Sequence, residues 1–283
     1  MTQNNSRAND RRSPRGKKPT ANRRPNAASL SLDGAKNKRE LAETFSASGA
    51  DALLVGDLDD ALDCYRRAVR LDPENATARA GLARTYLADE RYELAFDEAD
   101  RAVKLDAKSP LGYELRGHAR RLLGKFEEAI RDYDKAIELD RRNYLAFYGR
   151  AIARDMIGDV ALALDDFKAC LALAPEFVSA YYDRGALFAN EGRFDDAIAD
   201  YSRAIELDPT FAHCYVARGE ALVERGRARR ALDDFNKAIE LDPENADAYY
   251  YRALAHRELG EPAAMRRDIQ TARELGFDGE DDL

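Results

Sequence analysis

Small and apolar residues return along this chain at spacings of three and four, and the whole pattern returns every 34 residues. The frame holds without insertion or deletion from Ala42 to Gly279. It gives seven units, starting at Ala42, Ala76, Pro110, Tyr144, Val178, Ala212 and Ala246. Within a unit, positions 4, 8 and 11, then 17, 20, 21, 24, 27, 28 and 30, carry the small and apolar side chains. Such spacing predicts two amphipathic helices per unit and no strands. Position 15 is glycine in six units and Glu90 in the other. Glycine accepts the left-handed conformation that ends a helix, so the first helix is expected to stop there. Leu stands at position 30 in all seven units, and Asp-Pro follows in units one, five and six, closing the second helix. One such hairpin leaves an apolar face open, and the next hairpin covers it.

These letters resemble the tetratricopeptide repeat: an aromatic at 4, Gly or Ala at 8, Ala at 20, an aromatic at 24, Ala at 27 and Pro at 32, with period 34. The resemblance covers nearly everything outside the N-terminal arm. It implies an all-α fold, a right-handed α-solenoid (superhelix) of tandem helix-turn-helix hairpins with a disordered N-terminal arm. Some positions depart from it. Arg79 replaces the aromatic at position 4, Ala107 and Arg141 replace Pro, and Arg120 and Arg154 replace the apolar residue at position 11. These are expected to weaken their units. In the last unit Arg266 and Arg273 stand where the other six units are apolar, so Ala263–Leu275 is expected to cap the array.

Position 7 is Arg in five consecutive units: Arg116, Arg150, Arg184, Arg218 and Arg252. Position 23 is Asp in the same five: Asp132, Asp166, Asp200, Asp234 and Asp268. The two positions are nearly equidistant from the turn, so an antiparallel hairpin sets them at one height. We expect an Arg–Asp pair in each of these units, held by parallel hydrogen bonds. An arginine ladder for a phosphorylated or acidic ligand is the alternative, and the matched aspartates argue against it. In units one and two Ser48 and Leu82 hold position 7, so the pairing is expected to begin at unit three.

The resemblance further implies that the first helices line a concave groove where partners lie. Carried over position by position, the groove residues are Arg84, His118, Arg121, Tyr148, Asp155, Tyr182, Asp183, Glu220, Glu224, Tyr250 and Tyr251. The groove would be basic toward its N-terminal half, and acidic and aromatic toward its C-terminal half. Tyr148, Tyr182 and Tyr250 share position 5, and a tyrosine row beside carboxylates suits an extended peptide with a basic or proline-containing stretch. The alternative is that these rings only pack the groove wall. The family's carboxylate clamp for chaperone C-terminal tails requires Lys at 5 and Asn at 9 of one unit, and no unit has that pair. A chaperone tail is therefore not the expected ligand.

Charge divides the chain. Net charge is −8; residues 1–41 hold 11 Lys/Arg against 3 Asp/Glu, or +8, which leaves −8 − 8 = −16 for the rest. Residues 1–28 are nearly free of apolar side chains and read as a disordered basic arm, with 29–41 a transition. Residues 280–283 read as an acidic tail. Cys64, Cys170 and Cys214 are scattered, and His118, His213 and His256 fall in different units without metal-ligand spacing. No phosphate loop, Gly-x-Ser-x-Gly or dinucleotide fingerprint occurs, so neither enzyme chemistry nor a metal or cofactor is expected. With no signal peptide and no apolar run of membrane length, a cytoplasmic location is expected. The leading expectation is a non-enzymatic interaction scaffold, or adaptor, that holds a peptide or helix of a protein partner. The alternative is an electrostatic tether, in which residues 1–28 bind nucleic acid or anionic lipid while the array recruits a partner.

Overall fold

The computed structural model describes residues 35–277. The basic arm 1–28 and the tail 280–283 lie outside the described residues. Among the described residues the chain forms fourteen α-helices in seven hairpins. The first helices are α1 (Ala35–Leu54), α3 (Ala76–Ala88), α5 (Pro110–Leu122), α7 (Tyr144–Met156), α9 (Val178–Asn190), α11 (Ala212–Glu224) and α13 (Ala246–Glu258). Their partners are α2 (Leu58–Leu71), α4 (Tyr92–Leu105), α6 (Phe126–Leu139), α8 (Val160–Leu173), α10 (Phe194–Leu207), α12 (Ala228–Leu241) and α14 (Pro262–Glu274). The helix α1 reaches back to Ala35, ahead of Ala42 where the repeating frame begins, and Leu41 is buried. No described helix is long and apolar enough to cross a membrane.

Each hairpin closes for local reasons. Gly124 at the α5–α6 turn has φ of 72°, and the five other glycines at position 15 are also left-handed. In unit two Glu90 takes the same conformation, with φ of 57°, without glycine's freedom. Between hairpins, Asn75, Asn143 and Asn245 accept hydrogen bonds from the backbone N–H three residues on and cap α3, α7 and α13. The aspartate ending most second helices accepts from the backbone two residues on, as Asp140 does from Arg142 N at 2.9 Å. Asp106 and Asp140 keep this bond although Ala107 and Arg141 replace the proline.

The core runs through the middle of the stack. Ala61, Ala95, Ala129, Ala163, Ala197 and Ala231 are fully buried, letting helix backbones approach closely. The rings of Tyr65, Tyr133, Phe167, Tyr201 and Phe235 fill the space between hairpins. Burying such a ring contributes about 2–3 kcal/mol. Opposite them the first helices stay small: a Cβ on Gly185 would stand 2.8 Å from the Tyr201 ring. On α14, Arg266 and Arg273 are exposed.

The charged residues that interrupt the repeat are partners. Arg120 Nη1 lies 2.6 Å from Asp132 Oδ2, and Arg154 Nη1 lies 2.6 Å from Asp166 Oδ2. Each adds a second guanidinium to an aspartate held by position 7, so the expected weakening is corrected: position 11 stands one turn from position 7 and meets the same carboxylate. In unit two Arg79 is buried, donates Nε to Pro73 O at 2.8 Å and places Nη1 2.6 Å from Glu98 Oε2. An Arg–carboxylate pair therefore already exists one unit before unit three, carried by positions 4 and 23.

Candidate peptide-binding groove

The first helices of successive hairpins touch one another from α1 to α13, and the second helices do not. The stack must curve toward the first helices, which makes α3, α5, α7, α9, α11 and α13 the inner wall. The arginines at position 7 hold this wall in register. Arg150 donates Nε and Nη2 to Asp166 at 2.9 and 2.6 Å, and Arg184 grips Asp200 with both distances at 2.7 Å. Arg116–Asp132, Arg218–Asp234 and Arg252–Asp268 have the same form. These five aspartates are buried, so their carboxylates serve the scaffold and are not offered to a ligand.

The three position-5 tyrosines are occupied by neighbours. Tyr148 packs edge-on against Phe177 and Phe167, with centroids 4.9 and 6.3 Å away, and its hydroxyl donates to Asp183 Oδ2 at 2.6 Å. Tyr182 lies against Phe211, and Tyr250 stacks on Phe277 with centroids 4.1 Å apart. Phe177 and Phe211 escaped the sequence reading. Their signal is their place: both stand immediately before a first helix, where Asn75, Ser109, Asn143 and Asn245 cap in other units.

Toward the N-terminal half, Arg84, His118, Arg121 and Tyr148 come together around one cavity of about 530 Å³ between α3, α5 and α7. Leu87, Leu115 and Leu145 form its apolar sides, and the buried Tyr133 ring lies beneath. A Cβ on Gly149 would run into that ring, so the glycine opens this corner. Arg121 hydrogen-bonds the Tyr133 hydroxyl, while its Nε is buried without a hydrogen-bond partner. Burial, and then the Arg121 charge, lower the His118 pKa to about 4, so the imidazole is neutral at pH 7. Glu114 accepts from Asn143 Nδ2 at 2.7 Å, and burial raises its pKa.

Toward the C-terminal half the groove is acidic. Burial, then the charge of Glu191, raise the pKa of Asp155. Burial likewise raises Asp183, against the lowering effect of the Tyr148 bond and Arg121. At Glu220 burial raises the pKa, the Tyr251 hydroxyl bond lowers it, and Glu224 and Asp247 push it up again. Tyr251 itself is pushed up to about 12 by burial and the Glu220 charge.

Family models described as "Tetratricopeptide repeat" match residues 48–110 and 178–211, and one described as "TPR repeat" matches 117–154 and 219–260. With fourteen helices in tandem hairpins, these matches define the class: the chain belongs to the tetratricopeptide repeat family. Serine/threonine-protein phosphatase 5 of Homo sapiens is 34% identical over 93 residues, which span 33% of this chain and 18% of that protein. Hsc70-interacting protein 1 of Drosophila melanogaster is 35% identical over 85 residues, 30% of this chain and 22% of that protein. The chain thus spans about a fifth of these relatives' length. Among solved structures, the APC/C hetero-tetramer Cut9-Hcn1 aligns with a TM-score of 0.69 at 16% identity, over 87% of this chain and 50% of that one. PilW, a type IV pilus biogenesis factor, aligns at 0.68 with 18% identity, over 74% and 97%. YrrB, described as a TPR protein with an unusual peptide-binding site, aligns at 0.52 with 23% identity, over 65% and 95%. At these identities the structures share the fold.

Proposed function

We propose that the protein is a non-enzymatic scaffold that holds an extended, basic peptide segment of a protein partner in the C-terminal half of its groove. One observation carries this reading. The buried aspartates of the Arg–Asp column all meet arginines, but the groove-side Asp155, Glu191, Glu220, Glu224 and Asp247 have no cation within 4 Å among the described residues. A half-desolvated carboxylate next to another gains when a cation arrives, because the incoming charge relieves both burial and mutual repulsion. Lys or Arg side chains of an extended peptide supply such charges at two-residue intervals. The relatives agree in class, since one is named for its interaction with Hsc70 and YrrB is described as having an unusual peptide-binding site.

The test is fluorescence anisotropy with a labelled peptide of alternating Lys and Ser, compared with its Gln-for-Lys counterpart. The basic probe is expected to bind the full chain, with affinity falling as salt rises. The double variant Glu220→Gln, Glu224→Gln should lose about tenfold in affinity, the size of one or two partly screened charge contacts. Equal binding of both probes, or an unchanged double variant, overturns the reading.

A further inference from the structure

The basic pocket at the other end of the groove is not used by a basic segment. We infer that the cavity bounded by Arg84, His118 and Arg121 receives the acidic C-terminal segment of a second copy of this chain, so that copies join head to tail. This rests on the groove being the binding face and concerns its opposite half.

Three observations converge. First, the cavity's two arginines are unpaired: among the described residues neither Arg84 nor Arg121 forms an ion pair within 4 Å, the buried Arg121 Nε lacks any acceptor, and the one carboxylate in the lining, Glu114, is held by Asn143 instead. The neighbouring arginines Arg79, Arg116, Arg120 and Arg150 all have theirs. Second, the segment after Phe277 is complementary. Asp278, Glu280, Asp281 and Asp282 are acidic, and Leu283 is an apolar side chain for walls built from Leu115 and Leu145. Third, geometry rules out the chain's own pocket. Phe277 is fixed on Tyr250, and six extended residues reach at most roughly 20 Å. The helix α13 touches α11 but no earlier first helix, so α5 is four helix-to-helix steps away, on the order of 30–40 Å. The near end of the groove repels the segment, because Glu220, Glu224 and Asp247 carry the same sign. A heterologous contact of this kind joins the C-terminal end of one copy to the groove of the next.

Sedimentation velocity of the full chain over about two decades of concentration tests this. The expected result is a mass that rises with concentration at low salt and returns to the monomer value at high salt. The variants Arg84→Gln with Arg121→Gln, and Asp281→Asn with Asp282→Asn, should each stay monomeric. Mixed together, they should recover association as a single pair, since one supplies the tail and the other the pocket. A labelled Asp-Gly-Glu-Asp-Asp-Leu peptide should bind the parent and lose about tenfold in affinity for the Arg84, Arg121 variant. Retained binding of the Lys-Ser probe by that variant shows that it is folded and separates this inference from the proposed function. A monomer at every concentration, or mixing that restores nothing, overturns it. An unrelated acidic peptide that binds as tightly while the full chain stays monomeric assigns the pocket to a foreign acidic partner and also overturns it.

Discussion

Arg184 grips Asp200 through two nitrogens at 2.7 Å and makes no hydrogen bond to the hairpin before it. The other four arginines of its column do. Arg116 reaches Asp100, Arg150 reaches Asp134, Arg218 reaches Ser202 and Arg252 reaches Asn236. The equivalent residue before Arg184 is Lys168. The same junction lacks two further devices. Ala174 replaces the aspartate that ends every other second helix but the last, and Phe177 replaces the capping Asn or Ser of other units. Accordingly α8 packs against α9 more sparsely than any other second helix packs against the following hairpin.

Lys168→Asp should therefore strengthen the array. It supplies, at the position that carries the acceptor in the other four junctions, the acceptor this one lacks. Lys168 is exposed, so the gain is small, about 0.5–1 kcal/mol. Urea denaturation should show a higher midpoint, and hydrogen exchange should slow in α8 and α9. A midpoint equal to or below the parent's would show that the lost link does not limit this junction.

Glu90→Gly should also stabilise. Glu90 holds φ of 57°, which costs a non-glycine residue about 1 kcal/mol, and its side chain is exposed. Glycine has greater freedom in the unfolded chain, which takes back part of that gain. A net rise of about 0.5 kcal/mol in thermal or urea stability is expected.

How far the letters reach is set by what each structural fact depends on. The seven hairpins depend on a period, and a period is visible in one dimension. The roles of Arg120, Arg154 and Arg79 depend on which carboxylate lies within reach across a hairpin, so in a column they look like faults. The links to Asp100, Asp134, Ser202 and Asn236 run between units, and their column is chemically mixed, which hid it. Arg84, His118, Arg121 and Tyr148 were named from separate columns. That they surround one cavity follows from how the hairpins stack and from the missing Cβ of Gly149. Phe177 and Phe211 stand at a capping position, and only the folded chain shows their rings turned onto Tyr148 and Tyr182.

Gly149→Ala tests the cavity. The new methyl would overlap the tip of the Tyr133 ring, which is almost wholly buried. Overpacking of this kind costs about 1–3 kcal/mol. The variant should melt earlier and lose the acidic hexapeptide, while the Lys-Ser probe still binds. Unchanged stability would mean that α7 can shift outward at this point.

Acid should expose the buried imidazole. The folded-state pKa of His118, about 4, lies below its ordinary value of 6.5. Between those values the unfolded chain binds a proton that the folded chain refuses. Stability from this group is therefore complete above pH 6.5 and falls as pH drops toward 4, by at most about 3 kcal/mol. Glu114 and Asp183 act in the opposite direction, because their folded pKa values are raised and folding favours their protonated forms as pH falls. The clean readout is a difference: urea midpoints of the parent and His118→Gln, measured from pH 7 down to 4.5. The variant keeps the carboxyl contributions and removes the imidazole, so its midpoint should fall less than the parent's across that window. Parallel curves would show that water reaches His118 freely and that the imidazole is not held neutral by the groove.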